Sequence, residues 1–151
     1  MNNLTIKPYK DSDYARVSKI LMQAKLFYAP WDSKESLKRK TRTFPGSVII
    51  AANGKQIIGC VYVLTEIGGF ICQLAVKKEF RGKGVGSSLL NAAEDYLIKN
   101  KVHEWILWTY DEREDLHNYY IKRGYRKRGK YSFFTKTDKS SDSAVKHEAP
   151  R

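Results

Sequence analysis

The six residues Arg81-Gly82-Lys83-Gly84-Val85-Gly86 are the stretch of this chain best suited to chemistry. Three glycines at alternate positions remove the Cβ atoms that would hold a ligand away from the backbone, so successive N–H groups can converge on one anion. The apolar run Phe70 to Val76 comes before the loop and the amphipathic run Leu89 to Leu97 after it, a strand that turns into a helix. The first amides of such a helix have no intrahelical partner, and its dipole favours negative charge at that end. Arg81 and Lys83 supply countercharge. The pattern predicts a cradle for a phosphate or pyrophosphate. Two well-known cradles do not fit. A Walker loop needs Ser or Thr after the lysine, where Gly84 stands, and a dinucleotide fingerprint needs a third glycine at position 87, where the chain has Ser87.

The elements that must position the loop follow from periodicity. Leu4 to Lys7 predicts a short strand stopped by Pro8. Asp11, Ser12 and Asp13 are helix starters, and Tyr14, Val17, Ile20, Leu21 and Ala24 then recur at helical spacing. Phe27-Tyr28-Ala29-Pro30-Trp31 breaks that period with a proline among aromatics, which makes a loop that packs on the domain or lines a pocket. Asp32 or Ser33 caps a short polar helix to about Thr41. From Val48 the period is that of strands: Val48 to Ala52, an Asn53-Gly54 hairpin turn, Gln56 to Thr65, a Gly68-Gly69 turn, and Phe70 to Val76, three antiparallel strands in succession. Glu104 to Thr109 is a further strand, reached through a helix and therefore parallel to its predecessor. Asp115 to Lys122 is a short helix that Gly124 ends in a left-handed conformation. Tyr125 and Tyr131 to Thr135 supply the last two strands or one hairpin, and the polar, Ser-rich stretch from Lys136 to Arg151 is expected to be a disordered tail.

Composition narrows the class. A chain of 151 residues with 42% hydrophobic and 13% aromatic residues suits one globular domain with a real core. No apolar stretch approaches the ~20 residues of a membrane helix, and the start Met1-Asn2-Asn3-Leu4 lacks the apolar core of a secretory signal. The expectation is a soluble, cytoplasmic protein. Cys60 and Cys72 lie inside apolar runs without zinc-type spacing, so they read as reduced, buried thiols, and no metal site is expected. The net charge of +12 is the anomaly. Its basic residues gather at Lys34, Lys38, Arg39, Lys40 and Arg42, and again at Lys122, Arg123, Arg126, Lys127, Arg128 and Lys130. Such runs are more often a solvated face than a nucleic-acid site.

The spacing that does fit the loop is Arg/Gln-x-x-Gly-x-Gly/Ala, met by Arg81, Gly84 and Gly86 between a strand ending Leu74-Ala75-Val76 and a helix. With the element order, it resembles the GNAT family of N-acetyltransferases over about residues 4 to 135. The resemblance implies an α+β fold in α/β/α layers: a mixed, mostly antiparallel sheet of about six to seven strands, a central splayed parallel pair, and helices on both faces. It implies one acetyltransferase domain over residues 1–135, with acetyl-CoA as cosubstrate. Backbone groups of Leu74, Ala75 and Val76 would meet the pantetheine, and Arg81, Gly82, Lys83, Gly84, Val85, Gly86 and Ser87 would wrap the pyrophosphate.

The run Tyr119-Tyr120-Ile121-Lys122-Arg123-Gly124-Tyr125 resembles the family's aromatic-Tyr pair, three residues, Gly and an aromatic. The resemblance makes Tyr120 the general acid that returns a proton to the CoA sulfur, with Tyr119 as packing. A phenol with pKa near ~10 is protonated at neutral pH and suits that step. The strand from Phe70 to Gln73 lacks the acid that several members carry, so Glu66 and His117 are the candidate bases, with release of the proton to water as the route that needs neither. Arg113 stands where many members have Asn, and Asn118 is the substitute cofactor contact.

The function expected is transfer of acetyl from acetyl-CoA to a primary amine by direct attack, on a small molecule or on a protein or peptide. The alternatives are a basic nucleic-acid-associated module with this fold, and an acetyltransferase acting on aminoacyl-tRNA. If the basic clusters bind RNA, affinity falls steeply with salt. The resemblance leaves monomer and homodimer open, and no membrane partner is expected.

Overall fold

A computed structural model describes residues 3–66 and 68–129. Residues up to Leu107 form one compact unit and those from Trp108 a second. In the first, five strands make one mixed sheet in the order β1 (Leu4–Pro8), β2 (Val48–Asn53), β3 (Gln56–Leu64), β4 (Gly69–Val76) and β5 (Trp105–Leu107). The first three pairings are antiparallel and the last is parallel. The expected parallel pair is therefore present. Among the described residues there are five strands, against the six to seven anticipated for the chain: Tyr125 lies outside any strand, and the anticipated Tyr131 to Thr135 strand and the Lys136 to Arg151 tail fall outside the described residues.

Val48 to Ala52 and Ile57 to Val63 are buried without alternation, because the sheet is covered on both faces. On one side Val17, Ile20 and Leu21 of α1 (Tyr14–Gln23) and Leu37 of α3 (Lys34–Thr43) cluster with Val48, Ile50, Cys60, Tyr62 and Ala75. On the other lies α4 (Val85–Lys99), whose Leu89 reaches the position of Gly59, one residue out of phase with Cys60 and so on the opposite face. The aromatic stretch expected to be a loop contains a single helical turn, α2 (Ala29–Asp32), with Pro30 in its first turn, where a missing N–H costs nothing. Ser33, one of the two predicted caps, accepts from the Ser36 amide at 3.2 Å and starts α3.

Gly69 explains how β4, β5 and α4 come so close. A Cβ built there would stand 2.5 Å from Trp105 Cβ and 2.9 Å from Leu97 Cδ2, distances that only the absence of a side chain permits. Gly69→Ala is expected to overpack this junction and cost about 1–3 kcal/mol, read as a fall of several degrees in the melting temperature followed by circular dichroism. An unchanged melting temperature would mean that β5 can move off β4 freely.

The β3–β4 ladder slips once. Cys60 pairs with Ala75 and Tyr62 with Cys72, so Val61 faces both Gln73 and Leu74 in a bulge, and Gln73 takes φ +52°. Beyond Ile71, β4 has no β5 partner among the described residues. Among the described residues, Cys72 to Val76 have no strand partner on that side.

The second unit is built on α5 (Glu114–Lys122). Its end is a double turn: Gly124 N–H donates to Ile121 O at 2.9 Å and Tyr125 N–H to Tyr120 O at 3.1 Å, with Gly124 at φ +90°. That closure folds the Tyr125 ring edge-on against Tyr120, centroids 5.6 Å apart, while Tyr119 meets Tyr120 at 5.2 Å.

Candidate active site

The glycine loop has the geometry of an anion cradle. Gly84 is the N-cap of α4 at φ +82°, a conformation that L side chains rarely adopt, and no side chain caps the helix. The first intrahelical bond is Ser88 N–H to Gly84 O at 3.0 Å, so the amides of Val85 and Gly86 precede it and face outward along the helix axis. A Cβ built on Gly82 or Gly84 would meet nothing within 4 Å: the space over the loop is open to a ligand. The residues present therefore fit the pyrophosphate of acetyl-CoA.

The two predicted countercharges differ. Arg81 Nε donates to Val76 O at 2.9 Å, which ties the loop to the end of β4 and occupies one carbonyl of the strand. Lys83 Nζ donates to Glu79 O at 3.0 Å and lies over the Phe80 ring, turned back along the preceding helical turn. Leu74, Ala75 and Val76 sit on the stretch of β4 beyond its pairing with β5, and Ala75 is buried towards α1 and α3.

The stretch of β4 beyond its pairing with β5 begins at the bulge, and the bulge is fastened to the aromatic turn. Gln73 Nε2 donates to Leu26 O at 2.9 Å and to Asp32 Oδ2 at 2.6 Å, while Tyr28 N–H donates to the same oxygen at 2.7 Å. Asp32 is 1% exposed. Burial pushes its carboxyl up to about 6, against the hydrogen bonds from Tyr28 and Gln73 that favour the anion. Asp32 Oδ1 and the Tyr62 and Tyr9 hydroxyls are buried without a hydrogen-bond partner among the described residues. The sequence does not signal this group: Asp32 reads there only as a candidate helix cap, and nothing in the spacing of Asp32 and Gln73 points to a contact between residues 41 apart. Above it, Tyr28 and Trp31 stack edge to face at 5.1 Å and Trp31 is 52% exposed.

The sequence-predicted bases occupy other settings. Glu66 is exposed, accepts from the Thr65 amide at 3.2 Å, and lies beyond the Gly69 end of β4. The bulge is about 13 Å further along that strand, at ~3.3 Å per residue. His117 Nε2 is 3.1 Å from Tyr110 O and its Nδ1 is 3.4 Å from Lys127 Nζ, which assigns the ring proton to Nε2 and commits the Nδ1 lone pair. Asn118 is exposed on α5, and Arg113 is held by a bidentate pair with Asp115 at 2.8 and 2.7 Å. The Tyr120 phenol is raised above its ordinary value by burial and by Tyr119, with Arg113 and Arg123 opposing. It stays protonated at any physiological pH.

Both cysteines are free thiols, but only Cys60 is buried as expected: Cys72 is half-buried on β4, and desolvation still pushes its thiol up to about 12. No group of His, Cys, Asp and Glu that could hold a metal occurs among the described residues. Of the first basic cluster, Lys34, Lys38, Arg39 and Arg42 are exposed, whereas Lys40 is drawn inward and donates to Val63 O at 2.8 Å. Lys130 of the second cluster is outside the described residues.

Comparison with known proteins agrees with this geometry. Residues 14–125 match the acetyltransferase (GNAT) family. The chain is 25% identical over 128 residues to N-alpha-acetyltransferase 30 of Schizosaccharomyces pombe, covering 81% of this chain and 83% of the relative. Its fold is similar to Ard1 from Thermoplasma volcanium, with TM-score 0.70, 20% identity, and 80% and 81% of the two chains covered. It is equally similar to an aminoglycoside acetyltransferase from an uncultured soil metagenomic sample, with TM-score 0.70, 20% identity, and 91% and 98% covered. The mixed sheet with its parallel pair, the uncapped glycine turn into α4 and the family match lead to one conclusion: this chain belongs to the GNAT family and is an acetyl-CoA-dependent N-acetyltransferase.

Proposed function

We propose that the acceptor is the free α-amine of a peptide or protein N-terminus. The observation that carries this reading is the seating of the Leu26 to Asp32 segment on the β4 bulge, which joins the segment that bears the exposed Trp31 and its Tyr28 ring partner to the strand that has no β5 partner beyond Ile71 among the described residues. Flat aromatic surface next to free strand backbone suits an extended peptide end. Polyamines and aminoglycosides call instead for an acidic lining, and the acid at this place, Asp32, is buried and already bonded. The net charge of +12 also disfavours a polycation. The 25% identical relative named as an N-alpha-acetyltransferase supports the same class.

In this reading the neutral amine attacks the thioester carbonyl. The N–C bond forms, the C–S bond breaks, Tyr120 gives its proton to the leaving sulfur, and the amine's proton departs to water. Leu74, Ala75 and Val76 align the pantetheine, and the Arg81 to Ser87 turn holds the diphosphate end. The test is CoA release with peptides of free N-terminus, the same peptides N-formylated but carrying an internal lysine, spermidine and an aminoglycoside. Free N-termini are expected to be turned over at least ~10-fold faster than the blocked set; equal rates on blocked peptides, or a preference for the small amines, would overturn the assignment.

A further inference from the structure

Among the described residues Gln73 is the one strand residue with positive φ, and it is the point at which β4 and the aromatic turn are joined. A left-handed residue with a side chain is tolerated only where its surroundings hold it there. The holding contacts are its own amide nitrogen on Leu26 O and Asp32 Oδ2. Asp32 in turn takes the Tyr28 N–H on the same oxygen, and both bonds are short, as donors to an anionic acceptor are. The buried acid is held by these two donors, and the nearby Tyr62 hydroxyl also favours its charge. One oxygen thus joins two segments, the turn amide of Tyr28 and the Gln73 side chain 41 residues on, which is more than closing a turn requires.

We infer that Asp32 is a positioning residue for acetyl transfer: through Gln73 it locks the Leu26–Asp32 segment to the β4 bulge and thereby sets where the acceptor amine meets the donor strand. This deepens the peptide reading above and rests on it for the acceptor's identity only. The titratable groups facing the clamp are the Tyr62 and Tyr9 hydroxyls, and the Cys60 and Cys72 thiols of the adjoining strands. Lys40 of α3 stands next to Cys72. The hydroxyls and thiols are all pushed upward by burial and stay neutral, so Asp32 is the group whose charge changes as the solution is acidified.

The experiment compares wild type with Asp32→Ala, Asp32→Asn, Gln73→Asn and the Asp32→Ala/Gln73→Asn double variant. Asn at position 73 tolerates the left-handed backbone but is too short for both contacts. Asp32→Ala and Gln73→Asn are each expected to raise the acceptor KM about tenfold, the double no more than about twofold beyond the worse single, since one clamp is lost only once. Acetyl-CoA affinity, titrated directly, should stay within about twofold throughout. Asp32→Asn keeps an acceptor oxygen for Tyr28 and Gln73, so it should rescue KM at pH 8 and lose the rise in acceptor KM that wild type shows below pH 6. A folded Asp32→Ala variant with unchanged KM, multiplying effects in the double, or parallel loss of acetyl-CoA affinity would each overturn the inference. If Asp32→Ala does not fold, Asp32→Asn and Gln73→Asn carry the same comparison. If wild type acetylates no peptide, the acceptor reading falls and the clamp is judged by hydrogen exchange. Protection of the Tyr28 to Ser33 amides must then drop in Gln73→Asn and Asp32→Ala and no further in the double; independent losses refute it.

Discussion

Gly84→Val is expected to abolish useful acetyl-CoA binding, weakening affinity by at least ~100-fold, or about 2.7 kcal/mol, while the protein remains folded. Gly84 sits at φ +82° as the first turn of α4 begins, and no heavy atom lies within 4 Å of a Cβ built there. The substitution therefore causes no internal clash. It costs backbone strain of about 1–3 kcal/mol, and it sets a branched side chain in the open space before the amides of Val85 and Gly86. Gly86 separates the two effects. Its φ is ordinary and its Cβ would rest 3.9 Å from Val76 Cγ2, an easy contact. Gly86→Ala should thus leave the melting temperature in place and lower acetyl-CoA affinity alone. Calorimetric titration with acetyl-CoA beside thermal melts decides it. Wild-type affinity in Gly84→Val would remove the loop from the donor site.

Tyr120→Phe is expected to cut kcat by about 100-fold, the lower range for loss of a general acid, with acetyl-CoA affinity nearly unaltered. The ring contacts with Tyr119 and Tyr125 involve faces and edges rather than the hydroxyl, so phenylalanine preserves the packing. What disappears is the proton donor. Because burial and Tyr119 raise the phenol and the two arginines only partly offset them, its ionisation lies above the ordinary value of 10.0. The wild-type rate should therefore show no falling limb from this group between pH 7 and 9. Single-turnover measurements with saturating acetyl-CoA separate this from slow product release. Full activity in Tyr120→Phe would assign the proton to water or another acid.

Local chemistry made much of this protein legible. The glycine turn, the Asn53-Gly54 hairpin and the helix end at Gly124 are signalled within a few residues, because each depends on backbone conformations that few side chains permit. The three antiparallel strands and the parallel crossover follow from period and connection length. The aromatic stretch at Phe27 to Trp31 was ambiguous because a single helical turn stabilised by tertiary contacts leaves no periodic trace.

The sequence by itself determined the glycine turn into α4: a loop whose amides can gather an anion needs only closely spaced glycines and the helix that follows them, both local properties. Tertiary structure alone decided the rest of the site. It turned Lys83 back towards Glu79, drew Lys40 out of the basic cluster, placed a bulge at Gln73, and buried Asp32 against it across 41 residues of chain. A buried carboxylate is recognisable only by what surrounds it, and its surroundings come from strands and turns that meet only when the sheet has formed.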